Sequence, residues 1–182
     1  MTLKTKLISG AFAFALLAAG SASAATIDCP TNLDNNVSGA TDCEYSETAA
    51  QDFLNTNPIT VNAEAFFGVT NWAFVTKWER PSGVSGQFGS FNFSAFAAEV
   101  TGQAMLIFKD GQGTTLVGYL ISSLSGTWES PFENPPFDVR NTKDVSHIAL
   151  YTAPAAVPVP AAGFLLVGAL GGLAMLRRRK TA

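Results

Sequence analysis

"AMLIFKDGQGTTLVGYLIS", Ala104–Ser122, decides the fold. Two apolar runs, Ala104–Asp110 and Thr114–Ser122, flank Gly111-Gln112-Gly113. Runs of this length joined by a glycine-containing loop predict a β-hairpin. Working outward, "VNAEAFFGV" (Val61–Val69), "WAFVTKWE" (Trp72–Glu79) and "GQFGSFNFSAF" (Gly86–Phe96) come before it; "GTWES" (Gly126–Ser130) and "SHIALYT" (Ser146–Thr152) follow. Each reads as a short strand. The turn formers "RPSGVSG", "KDGQG", "SLSG" and "ENPPFD" separate them. Short strands with frequent turn signals predict an all-β chain, a single jelly-roll-like or β-sandwich domain. Only "SETAAQDFLN" (Ser46–Asn55) suggests a helix, and the proline-rich "ESPFENPPFDVRNT" (Glu129–Thr142) reads as a surface loop.

The two ends are different in kind. Lys4 and Lys6 precede an apolar run from Leu7 to Gly20, and small residues follow at Ala22 and Ala24. This is the order of a secretory signal peptide over residues 1–24; cleavage after Ala24 leaves Ala25 as the mature N-terminus. The alternative is an uncleaved anchor, for which the run is short. At the other end "VPVPAAGFLLVGALGGLAMLRRRK" fills Val157–Lys180. Ala161–Leu176 carries no charge over 16 residues. As a helix this measures roughly 24 Å, against about 30 Å of hydrocarbon, so it is a short transmembrane segment. Arg177, Arg178, Arg179 and Lys180 form a stop-transfer cluster that stays cytoplasmic. The body between the ends, 25–156, is therefore exported.

That body has 132 residues, enough for one domain with its own core. It holds all 14 acids but only five of the 11 bases, a formal charge of −9. Such a surface repels nucleic acid. Cys29 and Cys43 are its two cysteines, and in an oxidising compartment they pair.

The three-part C-terminus resembles a bacterial sorting tag, the PEP-CTERM group. Val157, Pro158, Val159, Pro160 and Ala161 resemble its VPLPA-CTERM variant, with Val159 in place of leucine. The resemblance implies processing by an exosortase-type transpeptidase after signal peptidase has acted. It implies a membrane-anchored precursor and then release to the envelope, the surface or the extracellular polysaccharide. A plain single-pass anchor is the alternative. The body also resembles exported proteins of this type, through "VNAEAFFG", "WAFVTKWE", "LIFKDG", "ISSLSGTW" and "VSHIALYT". For most such proteins the resemblance implies exposure without a defined activity. A non-enzymatic exported protein is thus the leading expectation, with a surface carbohydrate-binding module second and a secreted hydrolase third.

The candidate chemistry is sparse. His147 is the sole histidine; a triad reading pairs it with Asp144 and a serine, but neighbouring Ser146 points to the opposite face of a strand. Glu64, Glu79, Glu99 and Glu129 are scattered carboxylates. Trp72, Trp78 and Trp128 suit either a sugar platform or core packing, and core packing is the simpler reading. The phenylalanines at alternating strand positions also read as core. No cofactor is required by any motif. One calcium-type loop is outlined: Asp34, Asn36, Ser38 and Gly39 stand at positions one, three, five and six, and Asp42 at nine. Position twelve is Tyr45 where a bidentate glutamate belongs, so an Asn/Gly-rich turn is the simpler reading.

Overall fold

The computed structural model describes residues 26–154. The expected leader, with its Ala24–Ala25 junction, lies outside the described residues. So does the tag, with Val157–Ala161 and Arg177–Lys180. Among the described residues no helix is long and apolar enough to cross a membrane.

The chain is all-β and antiparallel. The strands are β1 (Thr26–Asp28), β2 (Ala40–Ser46), β3 (Ala73–Glu79), β4 (Phe88–Asn92), β5 (Gly102–Asp110), β6 (Val117–Ile121), β7 (Ser125–Glu129) and β8 (Val145–Pro154). A six-stranded sheet has the order β1-β2-β6-β5-β8-β3; β4 and β7 form a separate pair. The expected hairpin is β5–β6, with Leu106 opposite Tyr119 and Phe108 opposite Val117.

Two layers cover the six-stranded sheet, which explains why β5 and β8 are continuous apolar runs rather than alternating ones. On one face Leu106, Phe108, Tyr119, Ile148 and Leu150 share a core with Phe91 and Trp128 of the β4–β7 pair. The Phe108 and Trp128 rings meet edge-on at 6.0 Å. On the other face Met105, Ile107, Ala149 and Tyr151 pack against Val61, Phe66 and Trp72. Successive side chains of a strand alternate faces, so "MLIF" and "IALY" feed both layers at once.

Within the small pair each strand carries a glycine opposite its partner's aromatic: Gly89 faces Trp128 and Gly126 faces Phe91. A Cβ at Gly89 would come within 2.9 Å of the Trp128 ring, and one at Gly126 within 3.0 Å of Phe91. The large rings lie across the bare backbone, a cross-strand pairing that fixes register.

Several sequence expectations are corrected. "VNAEAFFGV" is not a strand. It forms a short helix α1 (Thr60–Ala63) and a 3₁₀ turn at Phe66–Gly68, because it must cap a sheet face rather than extend a sheet. Ser46–Asn55 is not helical. Ser46 ends β2, its Oγ accepts the N–H groups of Thr48 and Ala49, and the Ala49 carbonyl accepts from Leu116 N–H. Glu129–Thr142 is no mere surface loop, since it sends Phe132, Phe137 and Val139 into the core. Phe88 leaves the core and points to solvent, 68% exposed.

Candidate functional site

The outer face of the β4–β7 pair is polar, with one exception. Strand alternation turns Phe88, Ser90 and Asn92 outward from β4, and Ser125, Thr127 and Glu129 outward from β7. Phe88 lies opposite Glu129 in the ladder and is the most exposed of the large apolar side chains among the described residues.

Two loops rise beside this end of the pair and make it concave. The Leu33–Ser38 segment is pinned to β7. Ser38 N–H donates to the Thr127 carbonyl at 2.9 Å, Thr127 N–H donates to Ser38 Oγ at 2.7 Å, and Glu129 N–H donates to the Asn36 carbonyl at 2.7 Å. On the other side Ser130 Oγ donates to the Lys143 carbonyl at 2.6 Å, and Lys143 N–H donates to the Phe132 carbonyl at 2.8 Å. Burial of Phe132, Phe137 and Val139 anchors that loop.

Between the loops lie two adjoining hollows of about 610 and 430 Å³, which share Gln87, Glu133 and Thr142. A third, of about 300 Å³, continues from Asn36, Phe88 and Glu129 to Gly89 and Trp128. Together they form one groove, with Arg140 and Asn141 at its open end. Its amide side chains are oriented. Asn32 Nδ2 donates to Glu133 Oε1 at 2.8 Å and to the Pro135 carbonyl at 3.0 Å. Asn36 Nδ2 donates to the Ser130 carbonyl at 3.3 Å. Gln87 Nε2 donates to the Thr142 carbonyl at 3.2 Å and to Asp144 Oδ1. Asn32 and Gln87 thus commit both amide N–H donors to the protein and Asn36 one of its two, which leaves the three amide oxygens and one Asn36 N–H for a ligand.

The residues singled out from sequence fall elsewhere, with the exception of Trp128, Glu129 and the two loop residues Asn36 and Ser38. Cys29 and Cys43 are joined by a disulfide, with Cα atoms 5.3 Å apart. Of the calcium-type set, Asp34 and Asp42 line one small hollow with Asn35 and Thr41. Asn36 and Ser38 line the groove instead. Residues from Ala40 onward run extended as β2, so the segment does not wrap into a twelve-residue loop. Asp42 Oδ1 accepts the Cys43 N–H at 2.9 Å. Among the described residues no three His, Cys, Asp or Glu side chains cluster as metal ligands would.

His147 meets Asp52, not Asp144: Nε2 and Oδ2 are 2.9 Å apart and both side chains are mostly buried. Asp144 instead bridges Arg80 and Gln87. The Ser146 hydroxyl donates to the carbonyls of Lys109 and Asp110, at 3.0 Å each. The His147–Asp52 contact thus ties the Ala49–Pro58 segment to β8. Glu64 accepts the Ser46 hydroxyl, Glu79 pairs with Lys77 at the surface at 2.5 Å, and Glu99 is exposed. The Glu79 carboxyl is held below its ordinary range by the Lys77 hydrogen bond. Trp72 and Trp128 are 2% exposed and Trp78 is half-buried against Trp128, so no tryptophan platform exists at these positions. Tyr119 and Tyr151 are held well above the ordinary phenol range, chiefly by burial.

Comparison with protein-family models, curated proteins and solved structures finds no match. The groove therefore rests on its own geometry. Phe88 stands three residues from Phe91, and in a regular strand an odd spacing puts two side chains on opposite faces. The spacing does not say whether the second face is covered; among the described residues nothing covers it, and Phe88 is exposed.

Proposed function

We propose that this chain is an exported, non-enzymatic protein of the cell envelope or extracellular matrix, delivered through its C-terminal tag. In this reading signal peptidase removes residues 1–24 and the last segment anchors a precursor in the membrane. An exosortase-type transpeptidase then acts at Val157–Ala161. The body is an unequal β-sandwich, six strands against two.

The observation that carries the reading is the Cys29–Cys43 disulfide. Stable disulfides belong to oxidising compartments, which agrees with the leader and with the basic cluster Arg177–Lys180 after the final apolar run. The placement of the ionisable side chains supports a structural role. His147 secures a covering segment, Glu64 holds the end of β2 through Ser46, and Asp144 joins Arg80 to Gln87. The stretches shared with sorted proteins fall on packing positions too. Asn62 exchanges two hydrogen bonds with the Trp72 backbone, at 2.7 and 3.0 Å, and Trp72 Nε1 donates to the Phe66 carbonyl at 3.0 Å.

The test replaces both motif prolines, Pro158→Ala with Pro160→Ala, in the full chain expressed in the producing cells. The expected result is a full-length precursor in the membrane fraction and its loss from the surface and medium. An unchanged distribution would contradict the role of the motif.

A further inference from the structure

We infer that the groove over the β4–β7 pair binds an uncharged polysaccharide chain, with Phe88 as its stacking platform. Four observations lead there. The first is the exposure of Phe88, 68%, on a strand face otherwise made of Ser, Asn, Thr and Glu. A flat apolar ring alone on a polar floor suits the C–H face of a sugar ring, which is apolar while its rim is hydroxylated. It does not suit an apolar ligand, whose pockets are lined mainly by hydrophobic side chains.

The second is the surplus of fixed acceptors. Asn32 and Gln87 spend both amide N–H donors on the protein and Asn36 one of its two, so the amide oxygens predominate, and Glu129 and Glu133 add carboxylates. Such a wall asks for a ligand rich in O–H donors. Arg140 and Asn141 at the open end supply donors for ring and hydroxyl oxygens. The third is shape. The three hollows, of about 610, 430 and 300 Å³, adjoin through shared residues, so the site is an open trough rather than a closed pocket. The fourth is charge. A body at −9 with two carboxylates in the trough disfavours an acidic polymer.

The site is preorganised by the backbone bonds that pin both walls, so binding needs little ordering. The proposal is independent of how the ends are processed, because it concerns the body alone.

The experiment uses protein recovered from the producing cells. It is applied to an array of immobilised neutral polysaccharides (α- and β-glucans, mannans, galactans and N-acetylglucosamine polymers), with alginate and dextran sulfate beside them. Retention on at least one neutral polymer and none on the two acidic ones is expected. Phe88→Ala should weaken that retention at least tenfold with an unchanged melting temperature, since the side chain is exposed. Phe88→Trp should keep it. Asn141→Ala, also exposed, should weaken it without unfolding. No retention on any neutral polymer would overturn the proposal. So would equal retention by the wild type and Phe88→Ala, or binding confined to the acidic polymers.

Discussion

Gly118 shows how single positions set this structure. It lies on β6 between Val117 and Tyr119, and its missing side chain is the seat of Phe66. A Cβ there would stand 2.8 Å from Phe66 Cδ1 and 3.2 Å from Ile107 Cδ1. Two effects compete in Gly118→Ala. Relief of glycine's entropic penalty in a strand gains about 0.5–1 kcal/mol, whereas overpacking a filled core costs about 1–3 kcal/mol. Phe66 is fully buried and hemmed in, so overpacking wins. Chemical denaturation should show a net loss of about 1–2 kcal/mol, while Gly111→Ala, which meets nothing within 4 Å, should change stability by less than about 0.5 kcal/mol. Equal stability of the two variants would contradict this account of the Phe66 seat. At this scale the sequence was partly legible. The Phe88–Phe91 spacing put the two rings on opposite faces without saying which face is covered, and nothing local to Gly118 announces a partner 52 positions away.

Among the elements, legibility followed locality. The β5–β6 hairpin could be read because both strands and their turn fall within one short window, and both strands are apolar. Strand β2 could not. Its sequence "ATDCEYS" is polar, its partner β6 lies some seventy positions later, and it holds its place through that pairing. The cap over the second sheet face was misread for a related reason. "VNAEAFFG" has strand-like composition, yet Ala65 and Phe67 adopt left-handed backbone with φ of 55° and 56°. Glu44 of β2 accepts the Phe67 N–H at 2.6 Å, a tertiary bond that no local pattern reveals. Strand β1 is the weakest element, three residues paired on one side only. The disulfide compensates by tying the chain just after β1 to the middle of β2. Closing a loop of this length restricts the unfolded chain and is worth about 3 kcal/mol. The double variant Cys29→Ser with Cys43→Ser should lose about that much in urea unfolding; a loss below about 1 kcal/mol would show that β1 and the neighbouring loop are held by other contacts.

For the whole molecule, architecture and destination come from different parts of the chain. The body is an all-β unit whose two buried clusters draw only on residues between Leu33 and Ala153. His147, Glu64 and Asp144 serve anchorage, Glu129 and Glu133 face the groove, and the formal charge of −9 favours solubility and repels acidic polymers. In the proposed reading the ends hold the address, a leader before Ala25 and a proline-marked apolar segment closed by four basic residues. The all-β class was legible because it is written in short apolar runs and the turn formers between them. The groove was not, because it is assembled from three separated stretches around Asn32–Ser38, Gln87–Gly89 and Glu129–Thr142. The central claim is export through a processed tag, and the intact mass of the protein recovered from the envelope and the medium tests it most directly. The account predicts a chain that begins at Ala25, contains one disulfide and ends near Val157–Ala161, with whatever group the transfer adds. A mass that runs through Ala182 would contradict it and leave the segment as a plain membrane anchor.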